Sequence, residues 1–114
     1  MDHMNIVAKA TEDAFVAAKE FLNYHMNGED CGMCGFAWVN IKPKHKGNTK
    51  LGKEERKILR EMGFELDWTG KEFSWWNPSG LHVQNMDCKE VGARAAAKVL
   101  CEAGFDAYSM SRFD

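Results

Sequence analysis

The sequence predicts a single α+β domain: an antiparallel or mixed sheet of 4–5 strands with two helices on one face, and a further helix at the N-terminus. Three observations predict it. Apolar residues recur at helical spacing in three separate stretches. Between them lie short runs rich in aromatic and β-branched residues, closed by Gly, Pro and Asn turn signals. The chain has 114 residues, enough for one hydrophobic core, so 1–114 is taken as one domain, a helix at 5–26 followed by an α/β core over 34–114.

Residues 5–26 form the first predicted helix. Ile6, Ala10, Ala14, Ala17 and Phe21 make one stripe, widened by Val7, Phe15, Ala18 and Leu22, and Asn27-Gly28 ends it. A polar, Gly- and Cys-rich connection covers 29–35. Residues 36–41 are the clearest strand, stopped by Pro43. Alternation sets Ala37, Val39 and Ile41 on one face and Phe36, Trp38 and Asn40 on the other. The stretch 42–50 holds four lysines and no apolar residue but Pro43, and is expected to be an exposed basic loop.

A second helix is predicted over 51–62, with Leu51, Ile58, Leu59 and Met62 on one face and Gly63 just past its end. Strands are expected at 64–68 and 72–76, joined by the turn Thr69-Gly70-Lys71. Asn77-Pro78-Ser79-Gly80 makes the next turn, and 81–85 a further strand. Asp87 with Glu90 suggests a capping box opening a third helix over 88–103, which buries Val91, Ala95, Val99 and Leu100. Gly104 ends it. Residues 105–110 are the last predicted strand and 111–114 a polar tail.

Glu61-Met62-Gly63-Phe64-Glu65 and Glu102-Ala103-Gly104-Phe105-Asp106 share the pattern Glu-x-Gly-Phe-acid. Each is a good helix stop, because glycine tolerates the left-handed backbone. As a pair they also suggest two βαβ units, as in ferredoxin-like folds. The first helix then either covers the second face of the sheet or supplies a self-association surface.

Composition narrows function. Hydrophobic residues are 45% and charged residues 28%, with net charge −2 and pI near 6.1, so any nucleic-acid role needs a local basic patch. No run approaches the ~20 apolar residues of a membrane span. Asp2 stands where a secretory signal would carry Lys or Arg. A cytoplasmic location and no membrane partner are therefore expected, and the four cysteines should be free thiols or metal ligands, not disulfides.

Cys31-Gly32-Met33-Cys34 precedes a strand, whereas a redox pair needs a helix N-terminus to lower the thiol pKa. Cys88 and Cys101 stand thirteen positions apart, roughly 20 Å along one helix, so both cannot join that pair around one ion. One of them with His25, His45 or His82 could, and the favoured reading is two ordinary thiols in a tight glycine-containing turn. Histidines are scattered, and no phosphate loop, nucleophile elbow or paired carboxylates appear. No catalytic residue, metal or cofactor is expected.

The aromatic residues point to binding. Trp38, Trp68, Trp75 and Trp76 all fall on predicted strands, and adjacent Trp75 and Trp76 must face opposite sides of the sheet. One of them is then free to act as a platform for a planar base, with cations holding phosphates. The expected ligand-binding set is Trp38, Asn40, Lys42, Trp75, Gln84, Arg94 and Arg112.

Cys34-Gly35-Phe36-Ala37-Trp38-Val39-Asn40-Ile41-Lys42-Pro43 and the closing Ser111-Arg112-Phe113-Asp114 resemble a group of small uncharacterised proteins of tailed bacteriophages. Gln84 and Lys98-Val99-Leu100 fit as well, and the likeness spans 34–114. It implies a phage origin and expression in the host cytoplasm, and supplies no activity. Residues 51–103, with Lys89 and Arg94-Ala95-Ala96-Ala97, are also similar to the double-stranded-RNA-binding domain, but the strands are shorter and a single lysine stands where that family has a cluster. The resulting expectation is a non-enzymatic, homo-oligomeric phage protein that sequesters a small nucleotide-like host defence signal. The alternative is an inhibitor that meets a host protein or, less favoured, a nucleic acid through an aromatic and basic surface.

Overall fold

In the computed structural model, which describes residues 2–114, the elements follow the order α1 (His3–His25), β1 (Gly35–Ile41), α2 (Lys50–Glu61), β2 (Glu65–Leu66), β3 (Phe73–Trp76), α3 (Met86–Glu102) and β4 (Ala107–Phe113). The strands form one sheet in the order β2-β3-β1-β4, and every pairing is antiparallel. From β1 onward this is the βαββαβ arrangement of ferredoxin-like folds, with α1 added in front.

The repeated Glu-x-Gly-Phe pattern is two copies of one helix stop. At the end of α2, Phe64 N–H bonds Leu59 C=O and Gly63 N–H bonds Arg60 C=O; at the end of α3, Phe105 bonds Leu100 and Gly104 bonds Cys101, all at 3.0 Å. These are Schellman motifs. They need a left-handed residue at the glycine, and Gly63 and Gly104 have φ of +97° and +101°. Each phenylalanine then turns back toward the core, where Phe64 is fully buried.

Helix starts are set by side chains that accept otherwise orphaned N–H groups. Thr49 caps α2 through Gly52 N–H, and Asn85 caps α3 through Cys88 N–H. The predicted cap at Asp87 is therefore displaced by two residues. Glu90 does not reach back to the helix start: it accepts from Ser111 Oγ at 2.7 Å and pairs with Arg94.

Helices α2 and α3 lie on one face of the sheet. Ala37, Val39 and Ile41 of β1, with Phe73 of β3 and Ala107 of β4, form one core with Leu59 and Met62 beside α2 and Ala93, Ala96, Ala97 and Leu100 of α3. α1 does not cover the opposite face. It packs along α3, presenting Ile6, Ala10, Ala14 and Ala18, all buried. Small residues make that approach close: a Cβ added at Gly92 would stand 3.2 Å from the Ala14 carbonyl oxygen. The Cys88 thiol, also buried, donates to Ala18 C=O across the same seam.

Three sequence expectations need correction. Residues 81–85 form no strand; only Asn85 makes a bridge, to Cys34. The strand predicted over 64–68 is two residues long, because Asp67 breaks it by accepting hydrogen bonds from Thr69 and from Glu72 N–H. The predicted tail is the second half of β4, with Ser111 opposite Ala37 and Phe113 opposite Gly35. A serine can face the helices there because Glu90 satisfies its hydroxyl. Among the described residues, no helix is long and apolar enough to cross a membrane.

Candidate binding face of the sheet

With all three helices on one side, the other side of the sheet is bare. Register and alternation place its side chains in rows. Trp76, Trp38 and Met110 form one row; Glu65, Ser74, Asn40 and Tyr108 the next; Phe36 and Arg112 flank them at the far end. The 67–72 turn raises a wall that carries Trp68. Together they enclose an open depression of about 620 Å³.

The floor has an aromatic part and a polar part. The Trp38 and Trp76 rings stack at 4.5 Å with 19° between planes, and Phe36 meets Trp76 edge-on at 6.0 Å. Trp76 is 50% exposed and Trp68 96% exposed. Beside the stack, Ser74 Oγ donates to Asn40 Oδ1 at 2.6 Å. Asn40 Nδ2 donates to Glu72 Oε1 and to Tyr108 Oη, each at 3.3 Å, and the Tyr108 hydroxyl donates to Glu72. This network fixes the buried Asn40 side chain in one orientation.

Burial first, and then the hydrogen bond to Glu72, hold the Tyr108 phenol above its ordinary value of 10.0. A raised folded-state pKa favours the folded protein fully below the unfolded phenol's pKa, and the advantage is lost as pH rises through the folded value. In a Tyr24→Phe background, phenolate absorbance should therefore titrate later in native protein than in denatured protein. Glu72→Gln should bring the native midpoint down part of the way, because burial remains. A native midpoint equal to the denatured one would show that Tyr108 is solvated.

Cations stand at two edges. The Arg112 guanidinium lies over the Phe36 ring at 5.5 Å, and the Lys42 ammonium over the Tyr108 ring at 5.5 Å. Carboxylates occupy the corner away from Arg112, where Glu65, Asp67 and Glu72 line the depression and Glu72 accepts from the Tyr108 that Lys42 overlies. The face is bipolar, acceptors at one end and a guanidinium at the other, with the tryptophan stack between them.

Of the expected binding residues, Trp38, Asn40 and Arg112 line this depression, and Lys42 stands at its rim. The other three lie elsewhere. Trp75 is opposite Val39 on the helix-covered side, edge-on to Phe64 at 5.6 Å. Gln84 precedes α3, its N–H bonded to Asp30 and its C=O to Gly35. Arg94 sits on α3, paired with Glu90. Trp76, Trp68, Glu72 and Tyr108 were not anticipated as site residues.

Cys31 and Cys34 are exposed free thiols in the connection before β1. Among the described residues, no three His, Cys, Asp or Glu side chains gather as metal ligands would. In comparisons with known proteins, the chain matches no family model, no curated protein and no solved structure.

Proposed function

We propose that this protein is a non-enzymatic binding protein that holds a planar, nucleotide-like small molecule on the open face of its sheet. The observation that carries this reading is the Trp38–Trp76 stack, set on the floor of an uncovered face. A flat ring laid on such a stack gains about 1–3 kcal/mol without regard to sequence. A depression of about 620 Å³ suits a ligand of that size. Glu65 and Glu72 offer acceptors to N–H donors on one edge of the ring, and Arg112 offers a charged fork to an anionic group at the other end. An aminopurine mononucleotide has this pattern. A polyphosphate fits it poorly, because the lining has one cation against three carboxylates.

The depression leaves one side of a bound ring in water, so a homo-oligomer with ligand enclosed between subunits belongs to the same proposal. So does a phage origin, which gives sequestration a use: removal of a nucleotide-like host defence signal by occupancy alone. The near-complete exposure of Trp68 favours, as the alternative, a host protein docked on this face.

Tryptophan fluorescence and thermal melting against a panel of purine and pyrimidine mononucleotides, linear and cyclic, test the reading. A ligand at a hundred times its Kd stabilises the fold by about 2.7 kcal/mol, which for a domain of this size raises Tm by about 10 °C. No quenching and no shift with any member at millimolar concentration would transfer the face to a protein partner. Release of base or phosphate from a bound ligand would end the non-enzymatic reading.

A further inference from the structure

The charge of this protein is segregated along the chain. Residues 42–61 carry eight Lys and Arg against three Glu, a net of +5, while the whole chain is −2, so the remainder carries −7. The structure shows where the excess goes. Lys50, Lys53, Arg56, Lys57 and Arg60 recur every three or four positions along α2, beside the face on which Leu59 and Met62 meet the core, and the Arg60 guanidinium at the end of the row also lies over the Phe73 ring at 5.4 Å. All but Arg56 are exposed, as is Lys46 in the loop before the helix.

Three observations separate this row from an ordinary solvated helix face. The loop is fastened to the helix: Glu55 accepts the backbone N–H groups of Lys44 and His45 at 2.7 and 3.0 Å, and Arg56 donates to His45 C=O at 2.9 Å. Fastening the loop commits Glu55, so of the three carboxylates in the segment only Glu54 and Glu61 remain exposed beside the row, four positions from Lys50 and Lys57, and neither is ion-paired among the described residues. Among the described residues, the ion pairs are Lys9–Asp13 and Arg94–Glu90, and neither touches α2. Like charges at these spacings each cost an isolated helix about 0.2–0.5 kcal/mol, a cost removed when an external polyanion lies along them. From Lys50 to Arg60 the row runs about 15 Å, the axial rise of about four nucleotides of one strand.

We propose that the α2 row, with Lys46, is a second binding site, for the phosphodiester backbone of a nucleic acid. It is indifferent to sequence, because point charges on phosphates carry no base information. It is also separate from the aromatic face, since α2 packs on the covered side of the sheet. The overall acidity of the chain does not oppose it: the negative charge lies outside the segment.

Fluorescence anisotropy with labelled single- and double-stranded oligonucleotides of about 20 nucleotides tests it at 50 and 200 mM salt. Four neutralised phosphates give a slope of log K against log salt of about −3 to −4, so affinity for the better substrate should fall about a hundredfold over that range. The triple variant Lys50→Gln, Lys53→Gln, Lys57→Gln should lose at least about tenfold in affinity at 50 mM salt. Lys53→Ala alone, which spares the fold, should lower the slope by about 1. The charge-matched control Lys9→Gln, Lys19→Gln, Lys98→Gln should bind as the parent does. The proposal is overturned by absence of binding at 50 mM salt or by equal losses in the control triple. It is equally overturned by binding to vesicles rich in phosphatidylglycerol but not to either oligonucleotide.

Discussion

Trp76→Ala should weaken nucleotide binding by about 30-fold, one stacking contact of about 2 kcal/mol, while changing stability by less than about 1 kcal/mol. Trp75→Ala, one residue earlier, should do the reverse. Trp75 packs against the main core and meets Phe64 edge-on, so its removal should cost about 3 kcal/mol in urea unfolding. The contrast arises from strand parity alone: Trp75 is opposite Val39 on the covered side, and Trp76 opposite Trp38 on the bare side. Equal destabilisation by the two substitutions would show that Trp76 is structural and the open face is not a binding surface.

Gly52→Ala is the second large effect, and its sign opposes helix propensity. Alanine is better than glycine inside a helix by about 1 kcal/mol. A Cβ at Gly52, however, would lie 1.8 Å from the Lys46 carbonyl oxygen and 2.9 Å from Thr49 Oγ1. The first of these atoms is backbone and cannot rotate away. The loop must shift, and with it go the Thr49 cap and the bonds from Glu55 and Arg56 that fasten 44–45 to α2. Overpacking of about 1–3 kcal/mol plus a lost cap of about 1 kcal/mol exceeds the propensity gain, so the variant should lose about 2 kcal/mol. Because the loop positions Lys46, nucleic-acid affinity should fall with it. A stabilised Gly52→Ala would mean that the loop does not sit on the helix.

Much of the fold was legible because its signals are local. Helical periodicity located all three helices, and Gly-Phe after α2 and α3 marked their ends through a motif that needs only six residues. The split βαβ pairing was only suggested by the repetition of that motif, which two independent helix stops would also produce. The last strand was harder. Ser109 and Ser111 look like solvent residues, and nothing near them in sequence announces that Glu90, twenty-one positions away from Ser111, will satisfy one of them. The two-residue β2 fails for a related reason, since Asp67 supplies a turn where aromatic content suggested strand.

The site was half legible. Alternation from Val39 and Ile41 correctly sent Trp38 and Asn40 to one face. Choosing between Trp75 and Trp76 needed the parity of β3, and the available sign was Ser74: a polar residue between Phe73 and Trp75 marks the bare side, which Trp76 shares. Trp68 and Glu72 belong to a wall built by a turn, and strand periodicity has nothing to say about turns. Gln84 and Arg94 are far from the depression because their neighbourhoods are set by α3, not by the sheet. The basic stretch 42–50, taken alone, looks like a solvated loop; only its continuation down one side of α2 makes it a row.

The alanine seam has a consequence for synthesis. α1 precedes its partner α3 in the chain, and about 77 residues separate His25 from Glu102, roughly 4–15 s of translation. Throughout that interval the helix can form, being long enough to be helical alone, but has nothing to dock on. A stripe made largely of alanine presents little greasy area while it waits. The same small side chains that let two helices nearly touch thus also keep the waiting stripe low in apolar area, and α1, made before α3, takes its place only once α3 has been made.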